Sequence, residues 1–393
     1  MSLTASDLSA QLDRAGLVDR LAGLVRVESE NPPGNEAKVG AIVADACEEL
    51  GLKVEVHETV EGRPNIVARW EGGPGPTLGY CSHIDVVPAG DPSLWSVDPY
   101  AAHVEDNRMY GRGSSDAKGP IAAALEAVSL LRSVGFEPAG TLELELVSDE
   151  ESGGFKGAGY LAEAGLINPD IAIVGEPTLL RVVRAQRGIA WSRITTRGVA
   201  AHGSAPERGI NAIEHMAAIV RELKDSLPDV SHPVVGGPTI SVGTIHGGAK
   251  LNIIPASCVI EVDRRTIPGE TDDDVMAQFE AAIERARIAY PDIDAVAEIV
   301  DSGAPFEVDL DSRLVQTMAT AAQEVTGKET AIIGFRGASD ARFLAEAGAD
   351  VIVFGPGDIA VAHTAKEFID LDVLADGAVS YALAFARLLG GQG

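Results

Sequence analysis

Six residues with metal-ligating or proton-transferring side chains, His83, Asp116, Glu150, Glu151, Glu176 and His363, each stand in a short polar loop, and most of these loops follow an apolar run. The runs are residues 77–82 ahead of His83-Ile84-Asp85, 141–148 ahead of Asp149-Glu150-Glu151, 171–175 ahead of Glu176, and 351–354 nine residues ahead of His363. Each is short, mostly aliphatic and bounded by Gly, Pro or charge, which predicts β-strands. In an open α/β sheet, ligands bind outside the carboxyl ends of the strands. The spacing therefore gathers two imidazoles and several carboxylates at one rim. Oxygen and nitrogen donors of this kind suit zinc, cobalt or manganese.

Taken singly, these residues have ordinary readings as well. In His83-Ile84-Asp85 the two polar side chains share a strand face, because side chains repeat every two residues. Asp85 could then hold the ring nitrogen of His83 that faces away from a metal. Asp116 follows the small-residue loop Gly111-Arg112-Gly113-Ser114-Ser115 and precedes a helix, where an anion is favoured and a plain cap is equally natural. Asp149-Glu150-Glu151 is either a solvated turn or a metal ligand beside a general base, whose pKa serves best near the working pH. Glu176 in Gly175-Glu176-Pro177-Thr178 is a lone charge ending an apolar strand. His363, after Gly355-Pro356-Gly357-Asp358, could be an idle loop histidine. As a set they gain force. Five ligands (His83, Asp116, Glu151, Glu176 and His363) carry three negative charges, which two divalent cations and a bridging hydroxide would close. Asp116 is the natural bridge between ions about 3.5–4 Å apart, as a two-metal hydrolytic site needs.

The elements that position them follow from periodicity and punctuation. Helices are predicted over 17–27, from an Asn35 cap to residue 50 with Gly51 as stop, and over 121–134, with Pro120 at its start and Gly135 at its end. Strands are predicted at 53–57 and 65–70, with a turn at 72–76. Strands alternating with helices imply a mostly parallel sheet. The character changes near residue 182, where strands at 190–196, 239–244 and 257–264 and helices at 211–227 and 272–289 form a small α+β layer. From about residue 303 the earlier pattern resumes: a helix at 312–326, a glycine-rich loop at 334–339, a helix at 340–347, a strand at 351–354 and a last helix at 373–389. The predicted fold is α/β, with a discontinuous catalytic domain (1–182 and 303–393) whose mixed, mostly parallel sheet is flanked by helices. A smaller α+β domain (183–302) is inserted into it.

A chain of 393 residues, 46% of them hydrophobic, can build two domains with sizeable cores. Its net charge of −28 argues against nucleic-acid binding and against anionic lipid, and mildly favours cationic substrates. No basic segment followed by an apolar stretch predicts a signal peptide, and no run approaches the roughly 18–20 apolar residues of a membrane span. Cys47, Cys81 and Cys258 are scattered in apolar surroundings, which predicts reduced core thiols in a cytoplasmic protein.

Five ordered segments give the chain a resemblance to the M20 metallopeptidase family, which includes acetylornithine deacetylase, succinyl-diaminopimelate desuccinylase, aminoacylase and glutamate carboxypeptidase. They are Ser82-His83-Ile84-Asp85-Val86-Val87-Pro88, Tyr110-Gly111-Arg112-Gly113-Ser114-Ser115-Asp116-Ala117-Lys118-Gly119, Ser148-Asp149-Glu150-Glu151-Ser152-Gly153, Gly175-Glu176-Pro177-Thr178 and Ala362-His363-Thr364-Ala365-Lys366-Glu367. The resemblance runs from about Leu17 to the C-terminus. It implies that His83, Asp116 and Glu176 hold one metal and that Asp116, Glu151 and His363 hold the other. Glu150 is then the general acid/base and Asp85 orients His83. The inserted domain is implied to be a lid and dimerisation domain of a homodimer. Within Gly198-Val199-Ala200-Ala201-His202-Gly203-Ser204 it carries the histidine that reaches a partner protomer's active site, where His202 would donate to the carbonyl oxygen. Asn252 and Arg265 match positions that grip a substrate carboxylate, a task suited to the planar fork of arginine. Gly337 and Ser339, in Gly337-Ala338-Ser339-Asp340, resemble a substrate-contacting loop, although Ser339 or Asp340 could equally cap the next helix. Ala117 departs from the Met of many relatives. Glu176 and the Gly355-Pro356-Gly357-Asp358 loop lean toward the deacetylase branch.

The implied activity is hydrolysis of an N-acyl amino acid with two divalent metal ions, zinc foremost and cobalt or manganese also accepted. Dipeptidase or carboxypeptidase action, or hydrolysis of a carbamoyl amide, would use the same metal ligands. A noncatalytic dimeric ligand-binding protein would be marked by loss of Glu150 or a ligand, and none is missing.

Overall fold

In the computed structural model, which describes residues 3–390, the chain divides into two compact units. One takes the chain up to Arg184, Val308–Ile333 and everything from Ser339 onward; the other takes Ala185–Glu307 and Gly334–Ala338. Gly337 thus belongs to the second unit, although it lies within the C-terminal stretch expected in the first.

In chain order, α1 (Ala5–Gln11), α2 (Arg14–Val25) and α3 (Ala37–Glu49) lead into β1 (Lys53–Glu58), β2 (Pro64–Glu71) and β3 (Thr77–His83). Then come β4 (His103–Glu105), β5 (Arg108–Tyr110), α4 (Lys118–Ser133), β6 (Thr141–Val147), α5 (Ala158–Glu163), β7 (Ile171–Val174) and β8 (Val182–Gln186). The second unit holds β9 (Gly188–Arg197), α6 (Ala212–Leu223), β10 (Thr239–Gly247), β11 (Ser257–Thr266), α7 (Asp272–Ala286), β12 (Asp294–Gly303) and β13 (Phe306–Glu307). Then follow α8 (Arg313–Thr326), β14 (Ile332–Phe335), α9 (Ala341–Glu346), β15 (Asp350–Val353), β16 (Phe368–Asp370) and α10 (Leu371–Leu389).

The main sheet runs β1-β2-β6-β3-β7-β15-β8. Its centre is parallel, with β3 between β6 and β7 and β15 beside β7, while β1, β2 and β8 join antiparallel. Parallel strands buried on both faces need near-continuous apolar side chains. β7 and β15 supply them, while β6 buries Glu143 and Glu145 between its leucines and β3 carries Tyr80, Cys81 and Ser82; each of the four strands is buried along nearly its whole length. Helices α4 and α10 pack beside each other and both touch β3. They are buried along most of their length because alanine and glycine let them approach closely. The parallel centre makes His83, the residues after Val147 and those after Val174 leave the sheet on one side.

Boundaries differ from expectation where local chemistry differs. Helix α3 is capped at Glu36 rather than Asn35, and Glu36 makes no side-chain cap bond, because its carboxylate is taken by Arg63 at 2.6 Å. Helix α1, unpredicted from the sequence, is a single short element held by a Thr4–Asp7 capping box.

The second unit is an antiparallel sheet, β10-β11-β9-β12, with α6 and α7 packed on one face. Ala190 and Ile194 of β9 point into that core, whereas Trp191 lies on the opposite face and is exposed. The Asn211 side chain caps α6 through the N–H groups of Ile213 and Glu214, and a Thr271–Asp274 capping box opens α7.

Candidate metal centre

The parallel strand ends deliver the sequence-selected residues of the first unit to one place. His83 is the last residue of β3 and is buried. Its Nε2 lies 3.1 Å from Asp116 Oδ1 and 3.9 Å from Glu176 Oε1. The other oxygen of the same carboxylate, Asp116 Oδ2, lies 3.2 Å from His363 Nε2, which also stands 3.1 Å from Glu151 Oε2. Asp116 therefore offers one oxygen to each imidazole. His83 and Glu176 flank one side, His363 and Glu151 the other. Ligand atoms of His83, Asp116 and Glu151 all lie within 4.8 Å of one another.

Each side chain is aimed by its local backbone. Asp116 precedes α4, and its peptide bond to Ala117 is cis. Asp149 adopts φ +78°, a left-handed conformation uncommon outside glycine, and this turns the chain sharply from β6 into the Glu150–Ser152 helical turn. Its carboxylate sustains the turn by accepting from Arg63 Nη1 at 2.8 Å and from the Lys156 N–H at 3.0 Å. His363 also has positive φ, +61°, in the loop that follows β15. Gly357 in that loop could carry no side chain: a Cβ there would lie 2.4 Å from Ser115 Oγ, which itself accepts the Asp358 N–H.

A shell of polar contacts supports the centre. The His83 Nδ1 hydrogen bond is with the main-chain carbonyl of Asp85, at 2.9 Å, while the Asp85 carboxylate lies farther off at 3.6 Å. That carboxylate accepts from Asn31 Nδ2 and from the N–H groups of Glu150 and Glu151, so it fixes the turn bearing the two glutamates as well as facing His83. Glu367 is buried and accepts the N–H groups of Ser115 and Asp116 on Oε1, while Arg112 pairs with its Oε2. Lys118 donates from Nζ to the Val27 carbonyl at 2.7 Å.

Electrostatics follow from burial and crowding. Burial, compounded by neighbouring acids, raises the carboxyls of Glu150 and Glu176 well above the usual range. Burial opposes charge on His83 as well, but its hydrogen bonds to Asp116 and Asp85 prevail and raise its pKa. His363 is raised to about 10 by its hydrogen bonds to Asp116 and Glu151. Burial works against Asp116 too, yet the two imidazoles hold its carboxyl far below the ordinary range. Four carboxylates around two imidazoles leave surplus negative charge in a desolvated pocket. A donor set of this kind fits divalent cations.

Two residues belong to this neighbourhood without having been singled out from sequence. Asp340 lies in the segment read as a loop or cap, but its side chain makes no cap bond; Ser339 Oγ instead accepts the Ala341 N–H at 3.4 Å. Asp340 is buried, and burial, opposed by His83, raises its carboxyl to about 7. Asn31 holds Asp85 from a loop with no apolar pattern to mark it. Asp340 was read only as a possible helix cap and Asn31 carries no local motif, so the tertiary arrangement is what places both beside the centre.

Within the second unit, His202 and Asn252 lie on adjacent segments. His202 pairs with Ile253 in a short bridge, and the Gly203 N–H donates to the Asn252 carbonyl at 2.9 Å. His202 Nδ1 accepts the Ser204 N–H at 3.2 Å. Arg265 lies on β11 with Nε 2.9 Å from Asp263 Oδ1.

A parallel sheet whose strand ends gather paired imidazoles around a shared carboxylate defines the metal-dependent hydrolase class. The chain belongs to peptidase family M20/M25/M40, whose sequence profile matches residues 79–387. It is 31% identical over 348 residues to an acetylornithine deacetylase of Photorhabdus laumondii, covering 86% of this chain and 87% of the relative. It is 32% identical to one from Klebsiella pneumoniae, with 86% of each chain covered. Solved structures of the same fold include an aminopeptidase from Bacillus cereus (TM-score 0.79, 22% identity, 97% of this chain and 100% of that one). An M20 family metallo-carboxypeptidase from Sulfolobus solfataricus matches with TM-score 0.76 and 19% identity over 95% of this chain and 99% of that one. The protein is a metal-dependent amidohydrolase of this family. Among the described residues, no helix is long and apolar enough to cross a membrane.

Proposed function

We propose that the protein hydrolyses the N-acyl amide bond of an N-acylated amino acid at a centre of two divalent cations, zinc foremost, with cobalt or manganese able to replace it. The observation that carries the reading is Asp116, whose two oxygens each face a different imidazole. His83 and Glu176 would complete one ligand set, Glu151 and His363 the other. Cations bound there would polarise the scissile carbonyl and acidify a water held between them.

The chain's own residues do the rest. Glu150, one residue before the ligand Glu151, accepts the proton of the attacking water and returns it to the departing amine. Its raised pKa suits a group that must take up and release a proton near neutrality. Asp85 fixes both the His83 ring and the Glu150–Glu151 turn. In the second unit, His202 is proposed to donate to the carbonyl oxygen as negative charge develops on it. Its Nδ1 faces Ser204, 2.7 Å from the hydroxyl and 3.2 Å from the N–H, which leaves Nε2 as the ring atom for the substrate. Asn252 and Arg265 are proposed to grip the amino-acid carboxylate, with Gly337 and Ser339 lining the substrate. The resemblance supports these roles, together with action as a cytoplasmic homodimer. All three cysteines are free and buried, in keeping with a reducing compartment.

Purified protein should bind about two divalent ions per chain. A panel of N-acetyl-ornithine, N-succinyl-diaminopimelate, other N-acetyl amino acids and simple dipeptides should show cleavage of one acyl-amino-acid class. Cleavage of dipeptides alone would favour the peptidase reading, and no stoichiometric metal after reconstitution would sink the two-metal centre.

A further inference from the structure

Arg187, at the junction of β8 and β9, is only 7% exposed. Its N–H donates to the Phe335 carbonyl at 3.1 Å and its Nε to the Val235 carbonyl at 2.9 Å. The ends of two guanidinium groups converge at Gly236. A Cβ there would lie 3.3 Å from Arg187 Nη2 and 3.8 Å from Arg336 Nη2, which puts the two nitrogens within about 7 Å of each other. Arg265 is close enough for its charge, like that of Arg336, to oppose the charge on Arg187, on top of the larger cost of burial.

The other buried arginines are compensated. Arg63 has Glu36 and Asp149, Arg112 has Glu367, Arg264 has Glu270, and Arg342 has the charge of Asp340 nearby. The Arg187 guanidinium has one carbonyl, that of Val235, and two neighbouring cations. Arg336 is exposed, and among the described residues it makes no ion pair. Three guanidinium groups have gathered in a chain of net charge −28, and among the described residues the ion pair that any of them makes is that of Arg265 with Asp263. The support beneath them is built in. His232 Nε2 stands 3.1 Å from Glu307, its Nδ1 accepts the Val234 and Val235 N–H groups, and a bridge to Gly236 closes the turn that presents the Val235 carbonyl to Arg187. Planar guanidinium forks held in this way match carboxylates, each fork taking two oxygens.

We propose that Arg187 and Arg336, together with Arg265, form a binding site for a small dianion bearing two carboxylates. Resting on the hydrolase reading above, that dianion is an N-acyl amino acid whose acyl group or side chain carries a second carboxylate. The cluster disfavours a cationic side chain such as that of ornithine.

The test is calorimetric titration of the metal-loaded protein with glutarate and with butyrate, which differ by one carboxylate, for wild type, Arg336→Gln and Arg187→Gln. Wild type is expected to prefer glutarate by about tenfold or more. Arg336→Gln, a change at an exposed side chain, should abolish most of that preference while leaving butyrate affinity within about twofold. Arg187→Gln should do the same if circular dichroism shows an unchanged fold. Equal affinities in wild type, or a preference that survives in Arg336→Gln, would overturn the proposal. The readout needs no turnover. A protein that prefers glutarate but cleaves no N-acyl amino acid would refute the hydrolase reading and leave the dianion site standing.

Discussion

Asp116 and Glu150 are both carboxylates in a crowded, desolvated pocket, yet their surroundings drive them apart. Asp116 has an imidazole on each oxygen and stays ionised, whereas Glu150 has acids around it and holds a proton more tightly. Glu150→Gln is accordingly expected to lower kcat roughly 10²–10⁴-fold, the range for removal of a general acid–base group. Metal content, read by elemental analysis, should stay unchanged, and a variant that loses its metal would make Glu150 a ligand instead. A second expectation concerns pH. In metal-free protein the pairing of His363 with Asp116 and Glu151 raises its pKa from 6.5 to about 10. A raised histidine contributes stability that is full below its unfolded pKa and is lost as pH rises through the folded value. Thermal unfolding of metal-free wild type should therefore show Tm falling between about pH 7 and pH 10 more than in His363→Ala. Parallel curves would remove His363 from the pairing. Metal must displace this proton, so apparent metal affinity should climb over the same interval. The residues that gather around Asp116 were legible in sequence because their types are rare at the ends of apolar runs. Asp340 and Asn31 were not, since an aspartate three residues past a glycine and an asparagine before two prolines look like ordinary turn residues.

Elements place these groups through a few buried ion pairs as much as through the sheet. The loop before α4 and the segment before β16 are joined by Arg112 and Glu367, both buried. Removing one member of a buried pair leaves an uncompensated charge and typically costs about 3–5 kcal/mol. Arg112→Met should lower stability by that order in chemical denaturation and should weaken metal retention, because Glu367 also holds the Ser115 and Asp116 N–H groups. A loss below about 1 kcal/mol, the scale of exposed pairs, would mean that the two loops are held by something else. Thr271→Ala in the α7 capping box is a milder case, expected to cost about 1 kcal/mol without touching metal content. Strands β7 and β15 were readable from aliphatic runs, β6 from its leucines alternating with glutamates, β3 from a short run of mostly uncharged residues ending at His83, and α4 and α10 from length and apolar content. Strand β12 escaped notice because it alternates exposed and half-buried residues at the edge of a sheet, a pattern without a strong apolar face. The α3 start was misplaced by one residue because Glu36 is committed to Arg63, a partner 27 positions away that no local pattern reveals.

At the scale of the molecule, the second unit keeps its own core between four strands and two helices. Its β10 is an edge strand with an exposed outer row of residues, the kind of edge that pairs with another chain unless protected. Light scattering on the purified protein is expected to give twice the chain mass of 40.8 kDa; a monomer would remove the homodimer from the proposal. A shift of pattern near residue 182, close to where the first stretch of one compact unit ends at Arg184, was visible in the sequence. The return of Gly334–Ala338 to the second unit was not, because five residues are too few to carry a periodicity. The pairing of Glu367 with Arg112, and of His363 with Asp116, has a consequence during synthesis. The N-terminal part of the chain emerges with four prospective ligands and Glu150 already made, yet the second imidazole and the clamp on the Asp116 loop arrive only with His363 and Glu367. A nascent chain therefore holds an acidic, half-built pocket for the whole stretch between Glu176 and His363, and a chain cut short anywhere before His363 lacks the imidazole that faces Asp116 Oδ2.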